Sequence, residues 1–261
     1  MQQIKAHKIG LFLQPSVKLL RLGKEAMRDF DMIQPGDRVL LALSGGKDSL
    51  TLLHLLGHLQ CYEKTPFALG AITINPMIEG LNQLPLIDYL KALNVPYFFR
   101  SEPIMERAQG HMKNDSFCAW CSRMKRGLIY DTARKEGYNI IAMGQHLDDL
   151  AQSFLLSAFY GGTLKTMKAH YTNDAGDLRI IRPLVYVRER MTADFARSQQ
   201  LPVIADNCPA CFRMPSQRQH MKDWLLQEEK NNKGLFKSLL STMRPLMTNA
   251  STLNMETDTS A

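Results

Sequence analysis

The chain has 261 residues, of which 45% are hydrophobic and 22% are charged. These proportions are ordinary for a soluble globular protein, and the length suits one large domain or one domain with an appendage. No apolar run approaches the roughly 18 residues of a membrane span, and the N-terminus lacks the pattern of a signal peptide, so a cytoplasmic protein is expected. The net charge of +7 favours a polyanionic partner.

The predicted elements begin with a helix from Ser16 to Ile33, which a turn at 34–37 ends. Strand candidates then recur along the chain with helical stretches between them, at 39–43, 68–74, 96–100, 139–143 and 179–182. Such alternation predicts an α/β fold with a doubly wound, mainly parallel sheet and helices on both faces. From about Thr248 the chain is rich in Thr, Ser and Asn, which is typical of a disordered tail.

A glycine loop follows the first predicted strand and opens a helical segment; it consists of Ser44, Gly45, Gly46, Lys47, Asp48 and Ser49. Glycines let the backbone approach an anion, and the helix N-terminus adds partial positive charge, so this arrangement is typical of a phosphate site. The adjacent glycines exclude the Walker A pattern, which needs four residues between its first glycine and the Gly-Lys pair. The alternative is a glycine turn with a serine cap.

Two further segments follow predicted strands, namely Asn75-Pro76 and the stretch from Gly144 to Asp149. Open α/β sheets bind ligands at the carboxyl ends of their strands, so these segments are expected to meet the glycine loop in one crevice. Asp148 and Asp149 stand where a helix begins. They fit either Mg²⁺-dependent phosphate chemistry or ordinary helix capping.

Four of the five cysteines form two C-x-x-C pairs, Cys118 with Cys121 and Cys208 with Cys211. In an intracellular protein such pairs indicate metal or redox chemistry rather than structural disulfides. The pairs are 86 residues apart, so only the fold could assemble a joint site. Thiolates suit an iron–sulfur cluster or zinc, and a redox dithiol is the third alternative. The fifth cysteine, Cys61, is expected to pack in the core.

Basic residues cluster after the first cysteine pair and again near the last predicted strand. A polyanionic ligand or solvated helix faces would each explain them. The two clusters are Arg123, Lys125, Arg126, Arg134 and Lys135, then Arg179, Arg182, Arg188 and Arg190.

Taken together, these motifs resemble the bacterial tRNA 2-thiocytidine synthetase family of the PP-loop ATP pyrophosphatases, from about Arg28 to Leu226. The S-G-G-K-D-S loop resembles the PP-loop itself. The order and spacing of the other motifs carry the resemblance to the family. They are D-F-D-M-I at 29–33, C-A-W-C-S-R-M-K-R-G at 118–127, G-Q-H-L-D-D at 144–149, F-Y-G-G at 159–162, I-R-P-L at 181–184 and Q-R-Q at 217–219.

The resemblance implies a fold of the adenine nucleotide alpha-hydrolase type and an ATP- and Mg²⁺-dependent enzyme. It would adenylate the C2 oxygen of cytidine 32 in a tRNA anticodon loop and release pyrophosphate. Sulfur carried on a [4Fe–4S] cluster would then displace AMP. The implied partners are tRNA and a sulfur donor such as a cysteine desulfurase, with no membrane and with a homodimer allowed.

The resemblance also implies roles for particular residues. Lys125 and Asp148 match positions considered catalytic in a related family. Cys118 and Cys121 would bind the cluster with a third ligand from the second pair, of which Cys208 is favoured over Cys211. The nucleotide-binding positions would be Ser44, Gly45, Gly46, Lys47, Asp48, Ser49, Gly144 and Asp149. We expect an N-terminal helical extension (1–34), a PP-loop catalytic domain (35–230) and a C-terminal extension with a disordered tail (231–261).

The chain departs from the family pattern at several places. Asn75 stands where an acidic residue is expected, Gln145 and Leu147 replace His and Arg, and residues 212–214 replace a Gly-Ser-Gln segment. These departures leave open a paralogue with another target nucleotide. The motifs are also compatible with a PP-loop ligase that contains structural zinc and acts on another base or a small acceptor, and with a non-enzymatic metal-containing RNA-binding module.

Overall fold

The computed structural model describes residues 11–62, 65–78, 81–109, 117–204 and 217–248. The strands in these ranges are β1 (Arg38–Ala42), β2 (Ala68–Asn75), β3 (Tyr97–Ser101), β4 (Ile140–Ala142), β5 (His170–Thr172) and β6 (Arg179–Ile181). They form one sheet in the order β3-β2-β1-β4-β6-β5. Neighbouring strands pair in parallel along the series β3-β2-β1-β4-β6. At the edge, β5 pairs with β6 in antiparallel orientation. The predicted parallel sheet is therefore confirmed.

The helices alternate with the strands along the chain. They are α1 (Val17–Asp29), α2 (Lys47–Tyr62), α3 (Pro85–Ala92), α4 (Ile104–Gln109), α5 (Phe117–Lys135), α6 (Leu147–Gly161), α7 (Glu189–Ser198), α8 (Gln217–Asn231) and α9 (Leu235–Met243). A 3₁₀ turn follows at Arg244–Met247. Within the described residues, every helix is too short or too polar to cross a lipid bilayer.

The sheet separates two hydrophobic clusters, because side chains alternate between its faces along β1. Val39 and Leu41 belong to the larger cluster, which includes residues of α1, α2, α6 and α7. Leu40 belongs to the smaller cluster, together with Cys121 and Ile129 of α5. Helices thus cover both faces, as the sequence pattern predicts.

The edge strand β5 is the part of the sheet that the sequence pattern does not predict. It has only three residues, all at least partly exposed, so it produces no apolar run. Its pairing with β6 depends on the antiparallel register that joins Tyr171 to Ile180. The first helix is also shorter than expected, since it ends at Asp29 and Asp31 has φ +48°. The predicted C-terminal tail lies almost entirely outside the described residues.

Candidate functional site

The glycine loop between β1 and α2 is fixed by its own hydrogen bonds. The Ser44 Oγ accepts from the Gly46 N–H at 3.3 Å and lies 3.2 Å from the Ser49 Oγ. Gly45 has φ +90°, and a Cβ there would lie 2.7 Å from a side-chain carbon of Ile204. Only glycine meets both the positive φ and the close approach. The loop therefore holds its backbone in a fixed turn at the N-terminus of α2.

The segment after β4 packs directly against this turn. A Cβ on Gly144 would lie 3.1 Å from the backbone N of Ser49, so glycine is needed for the approach. The next helix, α6, begins with a capping box: the His146 Nδ1 accepts from the Asp149 N–H, and the Asp149 carboxylate accepts from the His146 N–H. The two segments that the sequence analysis placed at strand ends therefore lie side by side.

A cavity of about 670 Å³, here called the main cavity, opens where these segments meet α5 and the strand ends. The predicted nucleotide-binding residues that line it are Ser44, Asp48, Ser49, Gly144 and Asp149. The predicted catalytic Lys125 also lines it, from α5. The other lining residues are Ala42, Ser122, Arg126, Ile129, Met143, Gln145, Met167, Tyr171, Arg182 and Arg218.

The wall that α5 contributes to the main cavity is positively charged. Lys125 and Arg126 lie on it, and neither forms an ion pair with a carboxylate of the described residues. Arg182 is buried, and its Nε donates to the Gln145 Oε1 at 2.9 Å. Cationic side chains next to a phosphate-type loop suit an anionic ligand.

A mostly apolar slot of about 230 Å³ adjoins the main cavity, and Ala42, Ser44, Lys125 and Ile129 line both. Ile72 and Ile74 of β2 line it with Ile129 and Ile204, and Lys125 reaches its edge. The predicted crevice segment Asn75-Pro76 is not among its lining residues, and the Asn75 Oδ1 instead accepts from the Met77 N–H at 3.0 Å. An apolar slot beside a phosphate loop has the chemistry that a flat heterocycle needs.

The loop lysine faces α7 rather than the main cavity. Lys47 Nζ lies 3.0 Å from the Asp48 Oδ2 and 3.0 Å from the Glu189 Oε1. Lys222 of α8 donates to the same Glu189 oxygen at 2.8 Å. Burial alone would raise the pKa of Glu189, but the hydrogen bonds from Lys222 and Lys47 lower it to about 2. Glu189 and Lys222 were not predicted from the sequence, because no motif spacing marks them.

Asp148, at the start of α6, is held by contacts to the start of α7. Its carboxylate accepts from the Arg188 guanidinium at 3.0–3.2 Å and from the Glu189 N–H at 2.7 Å. Arg188 in turn donates to Glu229 at 2.6 and 2.8 Å and lies over the Phe236 ring. Asp148 lines neither the main cavity nor the apolar slot. Its contacts join the start of α6 to the start of α7, and its catalytic role stays a prediction.

The predicted basic clusters are divided by the fold. Arg134 lies near the C-terminal end of α5 and pairs with Asp177 at 2.6 Å, and it does not line the main cavity. Arg179, the first residue of β6, pairs with Asp37, which directly precedes β1. This pair therefore lies at the amino ends of the strands, whereas the loop follows the carboxyl end of β1. Lys125, Arg126 and Arg182 are the members of the two clusters that line the main cavity.

The first cysteine pair lies on α5, next to the main cavity. Cys121 is 8% exposed, and its neighbour Ser122 lines the cavity. Cys118 belongs to the same helix one turn earlier. Cys208 and Cys211 lie outside the described residues, so the expected ligand set stays a prediction. Among the residues that the structure describes, no cluster of three or more His, Cys, Asp or Glu side chains could hold a metal.

Comparison with known proteins decides the family. The sequence model of the PP-loop domain matches residues 18–229. A tRNA-cytidine(32) 2-sulfurtransferase from Geobacter sulfurreducens is 38% identical over 219 residues, which are 84% of this chain and 85% of the relative. The chain belongs to the tRNA-cytidine(32) 2-sulfurtransferase family of PP-loop proteins. A second member, from Pectobacterium carotovorum, is 37% identical over 87% of this chain and 73% of the relative.

The same fold occurs in a solved structure, the U34-tRNA thiolase NcsA from Methanococcus maripaludis with its [4Fe–4S] cluster. The TM-score is 0.65 at 23% sequence identity, over 87% of this chain and 78% of that one. The likeness confirms the predicted PP-loop fold. The resemblance to the tRNA-cytidine(32) 2-sulfurtransferase family that the motifs predict is confirmed as well.

Gln145 shows how this member of the tRNA-cytidine(32) 2-sulfurtransferase family accommodates one departure from the expected motif. The side chain lines the main cavity, and its Oε1 accepts from the Arg182 Nε. Arg182 also donates to the backbone carbonyl of Lys168 at 2.6 Å and lies 5.5 Å from the centre of the Tyr171 ring. Gln145 is therefore held in one orientation at the cavity wall.

Proposed function

We propose that the chain is an ATP-dependent tRNA sulfurtransferase that adenylates the C2 oxygen of cytidine 32 and replaces it with sulfur. One observation carries the proposal: the PP-loop and the positively charged wall of α5 line one cavity of about 670 Å³. Such a cavity has room for a phosphate group and a nucleobase together. The names of the relatives, which are tRNA-cytidine(32) 2-sulfurtransferases, support the same substrate.

ATP would bind with its base in the apolar slot and its phosphates at the loop. The Ser44 and Ser49 hydroxyls and the N-terminus of α2 supply donors for the phosphate oxygens. The carboxylates of Asp48 and Asp149 line the main cavity beside them and supply the hard oxygen ligands that Mg²⁺ prefers. In this arrangement, Mg²⁺ would neutralise charge on the phosphates.

The reaction would proceed in two displacements. The cytidine C2 oxygen attacks the α-phosphorus, the bond to the bridging oxygen breaks, and pyrophosphate leaves with that electron pair. A sulfur nucleophile then attacks C2, and AMP leaves with the C2–O bond electrons. Lys125 lines both the main cavity and the apolar slot, so its ammonium would lie where negative charge develops on the α-phosphate.

The cysteines of α5 fit a soft metal centre, since Cys121 is buried and Cys118 is one helical turn away. Cys118 and Cys121 would hold a [4Fe–4S] cluster together with one cysteine of the second pair. When bound, the cluster supplies the site from which sulfur is delivered. A sulfur donor such as a cysteine desulfurase completes the proposal, because each modified tRNA consumes one sulfur atom.

The direct test is mass spectrometry of nucleosides from tRNA treated under anaerobic conditions with the protein, ATP, Mg²⁺ and sulfide. We expect 2-thiocytidine with one AMP and one pyrophosphate per modified base. Lys47→Ala should abolish the product, because the loop loses its lysine, whereas the exposed Lys230→Ala should not change it. Release of ADP and phosphate would contradict the proposal, and a different thiolated nucleoside would indicate a paralogue.

A second test concerns the cysteines. Cys121→Ala should remove both the brown colour of the anaerobically purified protein and the thiolated product. Cys61→Ala is the matched control, since this half-buried cysteine lies at the end of α2, on another helix. A zinc-containing, colourless protein that still thiolates tRNA would contradict the iron–sulfur part of the proposal.

A further inference from the structure

In the proposed reaction the cytosine ring lies in the main cavity beside the PP-loop, and the backbone places Gln145 at that position. Gln145 follows Gly144, which packs against the loop, and precedes His146, the N-cap of α6. Its side chain is half-buried and lines the main cavity, as Lys125 does on the wall of α5. Gln145 therefore lies next to the place where the proposed adenylation occurs.

The amide of Gln145 has one defined orientation. The Arg182 Nε donates to its Oε1 at 2.9 Å, and a guanidinium group has N–H donors but no acceptor. The amide nitrogen is excluded from the position of this oxygen, because two donors would then face each other. Nε2 is consequently the amide atom that is turned away from the Arg182 Nε.

Arg182 is itself held in place by neutral groups. Its side chain is buried, its Nη1 donates to the Lys168 carbonyl oxygen at 2.6 Å, and its guanidinium lies 5.5 Å from the centre of the Tyr171 ring. Within the described ranges, no carboxylate forms an ion pair with Arg182. A buried side chain with these contacts has little freedom to move, so it holds the Gln145 amide in its orientation.

The Nε2 atom of Gln145 is available to a ligand. It has no hydrogen-bond partner among the residues that the structure describes. It is also not sealed in the protein interior, since the buried side-chain atoms without a partner in the described residues are the Gln83 Oε1 and the Tyr97 hydroxyl oxygen. Nε2 therefore offers two N–H donors at the wall of the main cavity.

We propose that Gln145 selects cytidine over uridine by donating a hydrogen bond from its Nε2 to the ring N3, and that Arg182 is the positioning residue. The inference rests on the proposed thiolation at C2 of a pyrimidine base. N3 is bonded to C2, so a side chain that contacts N3 lies next to the reacting oxygen. The N3 of neutral cytosine is a hydrogen-bond acceptor, whereas the N3 of uracil carries a hydrogen and is a donor.

This difference allows a fixed donor to distinguish the two bases. With cytosine, the Nε2 N–H group meets an acceptor, whereas with uracil two N–H groups face each other and the hydrogen bond is lost. A rotated amide could offer its Oε1 to uracil, but the rotation would bring Nε2 against the Arg182 Nε. Loss of the hydrogen bond should weaken binding about tenfold. Gln145 thus keeps cytidine as the target although it departs from the expected histidine.

The test compares two anticodon stem-loop RNAs that differ only in having cytidine or uridine at position 32. Fluorescence anisotropy measures their binding to the anaerobically purified full chain with Mg²⁺ and α,β-methylene-ATP, which cannot release pyrophosphate. The parent chain should bind the cytidine RNA about tenfold more tightly. Gln145→Leu should bind both RNAs equally, because an apolar side chain distinguishes neither base. Gln227→Leu, at an exposed position of α8, is the matched control and should keep the parent's preference.

Two further variants separate base recognition from a merely structural role. Gln145→Glu offers only acceptors, one of them to Arg182, so it should reverse the preference and favour the uridine RNA. Arg182→Lys should bring the two affinities close to each other, because one ammonium group cannot hold both the Gln145 Oε1 and the Lys168 carbonyl. Each comparison uses two RNAs on the same variant, so a loss of stability cancels from the ratio.

The inference would be overturned if the parent chain bound both RNAs equally or neither of them. A preference like that of the parent in Gln145→Leu, Gln145→Glu or Arg182→Lys would overturn it as well. No sulfur is transferred in this experiment. A chain that prefers the cytidine RNA but produces no 2-thiocytidine would therefore contradict the proposed function and leave the base recognition intact.

Discussion

Two ion networks lie side by side at the start of α7, and they begin at consecutive residues. Arg188 belongs to the closed network, which consists of Asp148, Arg188 and Glu229. Glu189 belongs to the open network, which consists of Lys47, Glu189 and Lys222. Arg188 is the N-cap in extended conformation and Glu189 is the first helical residue, so their side chains leave the backbone in different directions.

The networks differ in their access to a ligand. The side chains of the closed network are 8–19% exposed, and Arg188 is covered by the Phe236 ring. Those of the open network are 21–34% exposed, and Glu189 and Lys222 line a cavity. Ion pairs of similar length therefore differ in their surroundings: the closed pairs are shielded from solvent between helices, whereas the open pairs border a cavity.

The largest effect is expected from breaking the closed network. Asp148→Ala leaves the Glu189 N–H without its acceptor and removes one of the two carboxylates of Arg188, so the free energy of unfolding should fall by about 3 kcal/mol. Urea denaturation at neutral pH measures this fall in the free energy of unfolding. The neighbouring Asp149→Ala is the control, since it removes a helix cap and a half-exposed 3.9 Å contact with Arg218, together worth about 1 kcal/mol. Equal losses for the two variants would mean that the closed network is no more stabilising than a cap.

A buried group that carries no charge extends the comparison. His54 is fully buried, and burial lowers its pKa to about 4. Its Nδ1 accepts from the Leu13 N–H at 3.2 Å, so protonation would break that hydrogen bond. Because the unfolded chain binds the proton more tightly, stability should fall as the pH drops below about 6.5, by about 2 kcal/mol at pH 5.

The measurement is urea denaturation at pH 7 and pH 5. His54→Gln should lose most of this pH dependence. His220→Gln, at an exposed position of α8, should keep it. Equal stability of the parent chain at both pH values would contradict a lowered pKa of His54 in the folded state.

The open network predicts a smaller effect at lower pH. Burial would raise the pKa of Glu189, but Lys222 and Lys47 hold it at about 2, below the unfolded value of 4.5. Its contribution to stability is therefore present above pH 4.5 and is lost as the pH falls towards 2. About 1 kcal/mol should be lost by pH 3.5. Urea denaturation of the parent chain and of Glu189→Gln between pH 7 and pH 3.5 measures this contribution. Identical dependence of stability on pH in the two chains would contradict the lowered pKa of Glu189.

The smallest effect is expected for an ion pair that has neither burial nor a cavity. Arg21 and Glu25 lie one turn apart on α1, with side chains 64% and 37% exposed. Arg21→Ala should change the free energy of unfolding by no more than about 0.5 kcal/mol, and added salt should remove the difference. Thermal unfolding in low and high salt checks this. A loss comparable to that of Asp148→Ala would remove the distinction between buried and exposed pairs.

The sequence by itself determined the sheet and the phosphate loop, because both depend on local patterns. Apolar runs separated by helical stretches specify parallel strands, and adjacent glycines after a strand specify a turn that an anion can approach. The edge strand β5 could not be predicted in this way, since its three residues depend on pairing with β6 rather than on their own hydrophobicity. The family, too, followed from the order of the motifs.

Only the tertiary structure decided which charged residues lie together. Asp148 and Asp149 are adjacent and have the same side chain, so the sequence does not distinguish them. On α6 the Asp148 carboxylate contacts Arg188, whereas Asp149 lines the main cavity. Lys222 is 175 residues from Lys47, but both lysines contact Glu189. Charge interactions depend on distance and burial in three dimensions, and sequence spacing fixes neither beyond one or two helical turns.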